Sequence, residues 1–199
     1  PPLTPSRYTA HRGSLDVSSL QLTRIAHGTM ADDEMSPPSP APTDPRLPLS
    51  AMQVFKLKKS WKGIKRCLED TGVEMFIRYF KTNSPSKVLF AQFKSQSLDE
   101  LRMDESLEKL AGKVMAIFDE CMLNIENVDG TAEVMDRTAR IHTGMNGFAA
   151  TMFLDFQEPF LDAVKITLGD RYSDNMDTIY KITIRYLLDA LVKSHKALS

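Results

Sequence analysis

The sequence predicts an all-α domain behind a proline-rich tail, and three observations carry that prediction. Nine of the eleven prolines precede Leu49, leaving only Pro85 and Pro159 in the rest of the chain. Proline removes a backbone donor and clashes inside helices, so the proline-poor remainder is free to be helical almost throughout. Apolar residues recur there every three or four positions, the period of an amphipathic helix, and no alternating run of comparable length suggests a strand.

Residues 1–49 are expected to be a disordered tail. The stretch Ser36-Pro-Pro-Ser-Pro-Ala-Pro-Thr-Asp-Pro-Arg-Leu-Pro48 cannot make a helix or a central strand and offers little to bury. A solvated tail is the leading reading of it; a partner-docking arm in extended conformation is the competing one. Met30-Ala-Asp-Asp-Glu34 resembles a start of translation, so residues 1–29 are expected to lie upstream of it. That segment carries Arg7, Arg12 and Arg24 against the single acid Asp16, which keeps a mitochondrial-type transit peptide as the alternative. A cytoplasmic location is the default expectation.

Residues 50–199 are expected to form one domain, long enough for a single buried core. Ser50-Ala-Met-Gln53 opens it with a capping box, and Val54, Leu57, Trp61, Ile64 and Leu68 line one face of the helix that follows. Asp70-Thr-Gly72 reads as a turn. A second helix carries Val73, Phe76, Ile77 and Phe80 and ends at Asn83-Ser-Pro85. The charged run Asp99–Glu105 reads as a solvated loop leading into a helix capped by Asp104. That helix bears the stripe Leu107, Leu110, Ala111, Val114, Phe118, Cys121 and Met122. A shorter helix spans Thr131–His142, stopped by Gly144 and Gly147. The next covers about 148–168, with a kink expected at Pro159, and the last shows Tyr180, Ile184, Leu187, Leu188 and Leu191 on one face.

Composition excludes several classes of function. A formal net charge of −1 gives no footprint for nucleic acid, and no apolar run is long enough to span a membrane. Cys67 and Cys121 do not make a disulfide framework; both are expected to be small core hydrophobes, with a redox-active pair as the competing reading.

Of the four histidines, His11 and His27 fall in the tail and His195 is close to the C-terminus. His142 alone follows an amphipathic run and is closed off by a glycine-rich turn. Taken by itself it reads as a histidine favoured at a helix C-terminus by the dipole. Its neighbours change that reading. Trp61, the Phe76-Ile-Arg-Tyr-Phe80 motif, Phe90 with Phe93, Leu110-Ala-Gly-Lys-Val114 and Phe153 surround it in an order and spacing that resemble the globin family, across roughly residues 49–198. The likeness is to the cytoglobin-like and invertebrate nerve or muscle globins.

The resemblance implies a fold of seven to eight helices around a pocket for haem b (iron protoporphyrin IX), with His142 as the proximal iron ligand. It implies that Phe76, Phe90, Leu110, Val114 and Phe148 contact the porphyrin or its ligand, and that Lys113 reaches a propionate. A solvated lysine is the equal alternative for Lys113. Thr138, one turn before His142, would accept the other ring hydrogen on its carbonyl, with its hydroxyl as a second acceptor. Three positions depart from the family pattern. Pro85 is one place late, Phe148 stands where a smaller aliphatic residue is usual, and Leu110 stands where most relatives have histidine or glutamine.

No second histidine is expected in the core, so the sixth iron position should stay open to O₂, CO or NO. A distal pocket without a hydrogen-bond donor implies O₂ binding roughly ten- to a hundredfold weaker than beside a distal histidine. Met115 and Met145 are the conceivable substitutes for a second histidine, but Met115, one residue after Val114, should point away from the iron. The expected function is reversible binding of O₂ or another diatomic gas, for storage or transport, not catalysis. The rivals are a redox enzyme of the NO dioxygenase or nitrite reductase type served by a cellular reductase, a gas or redox sensor, and a haem-free interaction protein. The chain has no flavin- or nicotinamide-binding glycine motif of its own.

Overall fold

The computed structural model describes residues 43–199, and among them are seven α-helices, five short 3₁₀ turns and no strand. The helices are α1 (Ala51–Ile64), α2 (Leu68–Thr82), α3 (Leu98–Arg102), α4 (Glu105–Leu123), α5 (Val128–His142), α6 (Gln157–Leu168) and α7 (Asp174–Leu198). The all-α class and the helix count expected from the sequence both hold.

The starts of the helices follow their caps. Ser50 and Gln53 form the reciprocal capping box at α1. Asp104 accepts from the amides of Ser106 and Leu107 at α4, and Ser173 accepts from that of Met176 at α7. The helix of His142 begins earlier than the sequence suggests. Asn127 accepts from the amide of Gly130, and α5 starts at Val128 instead of Thr131.

Four further expectations are corrected. Asp70–Gly72 is not a turn but lies inside α2; the chain bends earlier, in the 3₁₀ turn Lys65–Cys67. Gly72 is buried where α2 crosses α4. A Cβ placed on it would lie 2.7 Å from Met115 Cγ and 3.1 Å from the Ala111 carbonyl oxygen, so the crossing requires a bare Cα. Asp99–Glu105 is not a plain loop, because α3 forms there with its own capping box, Ser97 with Glu100, and buries Leu101. The region 148–168 is not one kinked helix. Ala150–Phe156 is a 3₁₀ turn, and Pro159 sits in the first turn of α6, where its missing donor costs nothing.

The domain also begins before residue 50. Leu47 and Leu49, assigned above to the tail, are buried in the core, and the Thr43 hydroxyl donates to the Leu49 carbonyl. Arg46 pairs with Asp44 and with Asp129 in the first turn of α5. The expectation of disorder for residues 1–42, with the start at Met30, lies outside the described residues.

Core packing places α2 against α4 and α6, and α7 against α5, α6 and the 150–156 turn. Trp61 sits in this core and donates its indole hydrogen to Asp119, which also holds Lys65. No described helix is long and apolar enough to cross a membrane. Of the two cysteines only Cys121 is a core residue; Cys67 is exposed in the turn before α2, and the two are not bonded to each other.

Candidate functional site

His142 is the last residue of α5, half-buried, and its surroundings come from three separate elements. Its Nδ1 lies 2.8 Å from the Thr138 carbonyl oxygen. A carbonyl only accepts, so Nδ1 carries the hydrogen and, in the neutral ring, Nε2 presents a bare lone pair. The Thr138 hydroxyl plays a different part from the one expected: it donates to the Val134 carbonyl, 2.8 Å away. Beyond the helix end, Gly147 takes φ of +80°, which an L side chain resists, and the chain turns back to bring Phe148 to His142.

Two rings flank the imidazole. Phe148 and Phe153 each lie with centroids 5.0 Å from His142, at interplanar angles of 40° and 74°, and 4.9 Å from each other. Phe153 belongs to the 150–156 turn, and the same turn carries Phe156 to a second aromatic group. Phe156 stacks on Tyr79 at 4.0 Å and meets Phe76 edge-on at 5.5 Å. Phe76 also meets Phe90 edge-on at 5.9 Å. One short turn thus joins the rings around His142 to those of α2. Burial raises the Tyr79 phenol above its usual value, so it stays protonated in this setting.

The remaining candidates fall where the helical period puts them. Leu110 and Val114 are one turn apart on α4, both half-buried and packed on the core, with Lys113 exposed beside them. Phe90, Ile117, Phe148 and Leu154 are partly buried in the same way. Apolar side chains left incompletely covered on several elements are what a lipophilic planar group would require. Met115, fully buried, faces Gly72 on α2, on another side of α4 from Val114. An Nε2 aimed away from the Thr138 carbonyl at a helix end, with Phe148 and Phe153 against the ring, fits haem, which needs one neutral imidazole and an apolar lining.

Sequence reasoning missed one residue. His195 is only 7% exposed and belongs to the core, against the expectation of no second core histidine. Its ring lies 5.6 Å from Phe148 and 6.0 Å from Phe153, the two rings that flank His142. The signal was present: Leu187 and Leu191 are spaced by four, and the next step on that face of α7 is His195.

Comparisons with known proteins agree with this architecture. The globin family model matches residues 73–196, more than half of the chain, and the chain belongs to the globin family. Cytoglobin-1 of Oryzias latipes is 27% identical over 96 residues, 48% of this chain and 54% of that protein. Globin CTT-I/CTT-IA of Chironomus thummi thummi is 28% identical over 86 residues, 43% of this chain and 52% of that one. The matched stretch thus spans about half the length of these curated relatives. Among solved structures, a hexacoordinated haem protein from an anhydrobiotic tardigrade is 35% identical with a TM-score of 0.75, covering 77% of this chain and 99% of that one. The haemoglobin of the botfly Gasterophilus intestinalis is 16% identical with a TM-score of 0.65, covering 73% and 97%, and shows likeness of fold alone.

Proposed function

We propose that this chain binds haem b through His142 and reversibly takes up O₂ or another diatomic gas, CO or NO, as a store or carrier. The observation that carries the reading is the hydrogen bond from His142 Nδ1 to the Thr138 carbonyl, which leaves Nε2 bare at the end of α5. Iron held there by one imidazole supplies an open coordination position for the gas. Phe76, Phe90, Leu110 and Val114 form the apolar wall of the proposal, and Phe148 packs on the ligand side beside His142. None of them donates a hydrogen bond. Their part is to exclude water and admit a small apolar molecule, with O₂ held roughly ten- to a hundredfold less tightly than beside a distal donor. Lys113, exposed on α4, is free to pair with a carboxylate at the rim.

A second reading is favoured by one observation, the 35% identity to a protein described as hexacoordinated. In that reading an internal ligand closes the sixth position, and the chain serves redox chemistry or sensing with a cellular reductase in the cytoplasm as electron source. Against it, the histidines among the described residues are His142 and His195, and both rest on Phe148 and Phe153. Both imidazoles thus sit against the same two rings.

The test is the visible spectrum of the haem-loaded, reduced protein without air, beside His142→Ala. A single broad band that changes reversibly on admitting air, and is lost in the variant, supports the open gas-binding site. Sharp split bands before air decide for the internal-ligand reading.

A further inference from the structure

His195 has a hydrogen-bonding arrangement that fixes its tautomer. The Ser199 hydroxyl lies 2.8 Å from the His195 carbonyl oxygen and 3.1 Å from His195 Nδ1. The carbonyl can only accept, so the single hydroxyl hydrogen goes to it, and Nδ1 must donate to the serine oxygen. In the neutral ring Nε2 is then a bare acceptor, buried and without a partner among the described residues. A buried polar atom left unpaired in this way is uncommon, and it needs a reason.

What the ring touches shows what it holds in place. Phe148 and Phe153 are each in ring contact with both histidines, so the imidazole of α7 and that of α5 grip the same pair of phenyl groups. We propose that His195 is a positioning residue for His142, acting through Phe148 and Phe153. Ser199 locks the rotation of the His195 ring; that ring sets the tilt of the two phenylalanines; and they set the plane of the His142 imidazole about its bond to Thr138. The last turn of α7 thereby controls the direction in which His142 Nε2 points. The four rings are coupled without the cofactor; only the effect on a bound metal rests on the reading of His142 as a haem ligand.

Two arms test it, both on the full chain. In the haem-free protein, nitrogen-15 NMR of the imidazoles reads the His142 tautomer directly. His195→Ala should mix the Nδ1–H and Nε2–H forms of His142, Ser199→Ala should do so partly, and His195→Phe, which keeps a ring in place, should restore the single form. In the haem-loaded protein, His195→Ala should shift the iron–histidine stretching band and speed haem loss to an acceptor by about tenfold, the size typical of a lost outer contact to a metal ligand.

A purely structural role would lower the melting temperature while leaving the His142 nitrogen signals and the stretching band at their native positions. That result overturns the proposal, as does His195→Phe behaving like His195→Ala in the haem-free arm. If the NMR arm behaves as expected while the native chain takes up no haem, the cofactor reading fails and the positioning role stands.

Discussion

Gly72 of α2 and Met115 of α4 touch where the two helices cross, and a Cβ on the glycine would stand 2.7 Å from Met115 Cγ. Met115 is directed at α2 there, and the helical period puts Val114 and Leu110 on a different face of α4. One hydrogen atom in place of a side chain is therefore what lets α2 and α4 approach at this crossing.

Replacing that glycine is expected to be costly. The Ala111 carbonyl oxygen, 3.1 Å from the added atom, is backbone and cannot rotate away. Gly72→Val should destabilise the fold by about 1–3 kcal/mol through overpacking. Urea unfolding measures it, and a midpoint equal to that of the native chain would show that α2 and α4 separate freely.

The backbone, not the hydroxyl, of Thr138 orients His142. Thr138→Val keeps the carbonyl and the β-branched shape, so the His142 tautomer and the spectrum of the haem-loaded protein should stay native. Loss of the Thr138–Val134 bond should cost no more than about 1 kcal/mol. A changed spectrum would mean that the hydroxyl takes part after all.

Asp104 links helix capping to acid stability. The Gln96 side chain, with the Leu107 and Ser106 amides, holds its carboxyl below the usual aspartate value. Because the folded value is the lower one, the stabilisation is complete above the ordinary aspartate value of about 3.9 and is lost as pH falls through the folded value. The advantage of the native chain over Asp104→Ala in thermal melts should therefore shrink across that acid range. An advantage that stays constant to the lowest pH would count against the linkage.

The two thiols should react very differently. Cys121 is fully buried, and burial pushes its thiol up to about 12, so little reactive thiolate forms at neutral pH. Cys67 is exposed. A disulfide reagent should titrate one thiol in the native protein and both in denaturant; two fast equivalents without denaturant would indicate that α4 opens readily.

How much of this was legible depended on whether the signal was local. Asp104 and the stripe from Leu107 to Met122 lie within one helix, so cap and period together located α4. Gly72 misled because glycine marks turns in a sequence, whereas here it answers a contact with Ala111 and Met115, some forty residues away. Gly130 masked the start of α5 in the same way, although Asn127 supplied an ordinary cap. Leu47 and Leu49 were lost among prolines, since burial of single residues in an irregular segment has no period to betray it. The candidate site divided similarly: His142 stood out by its position after an amphipathic run. His195 did not, because what makes it matter is its contact with two rings from another part of the chain.

The segment from Thr43 to Leu49 also has a mechanical consequence. Arg46 clamps the first turn of α5 through Asp129, while Leu47 and Leu49 are driven into the core just behind it. Tension on the polypeptide ahead of Thr43 is thus not absorbed by a slack end. It loads first an exposed ion pair, which yields easily, and then two apolar plugs, which do not. Until the ion pair gives way, the pull is felt at the root of the helix whose tip is His142.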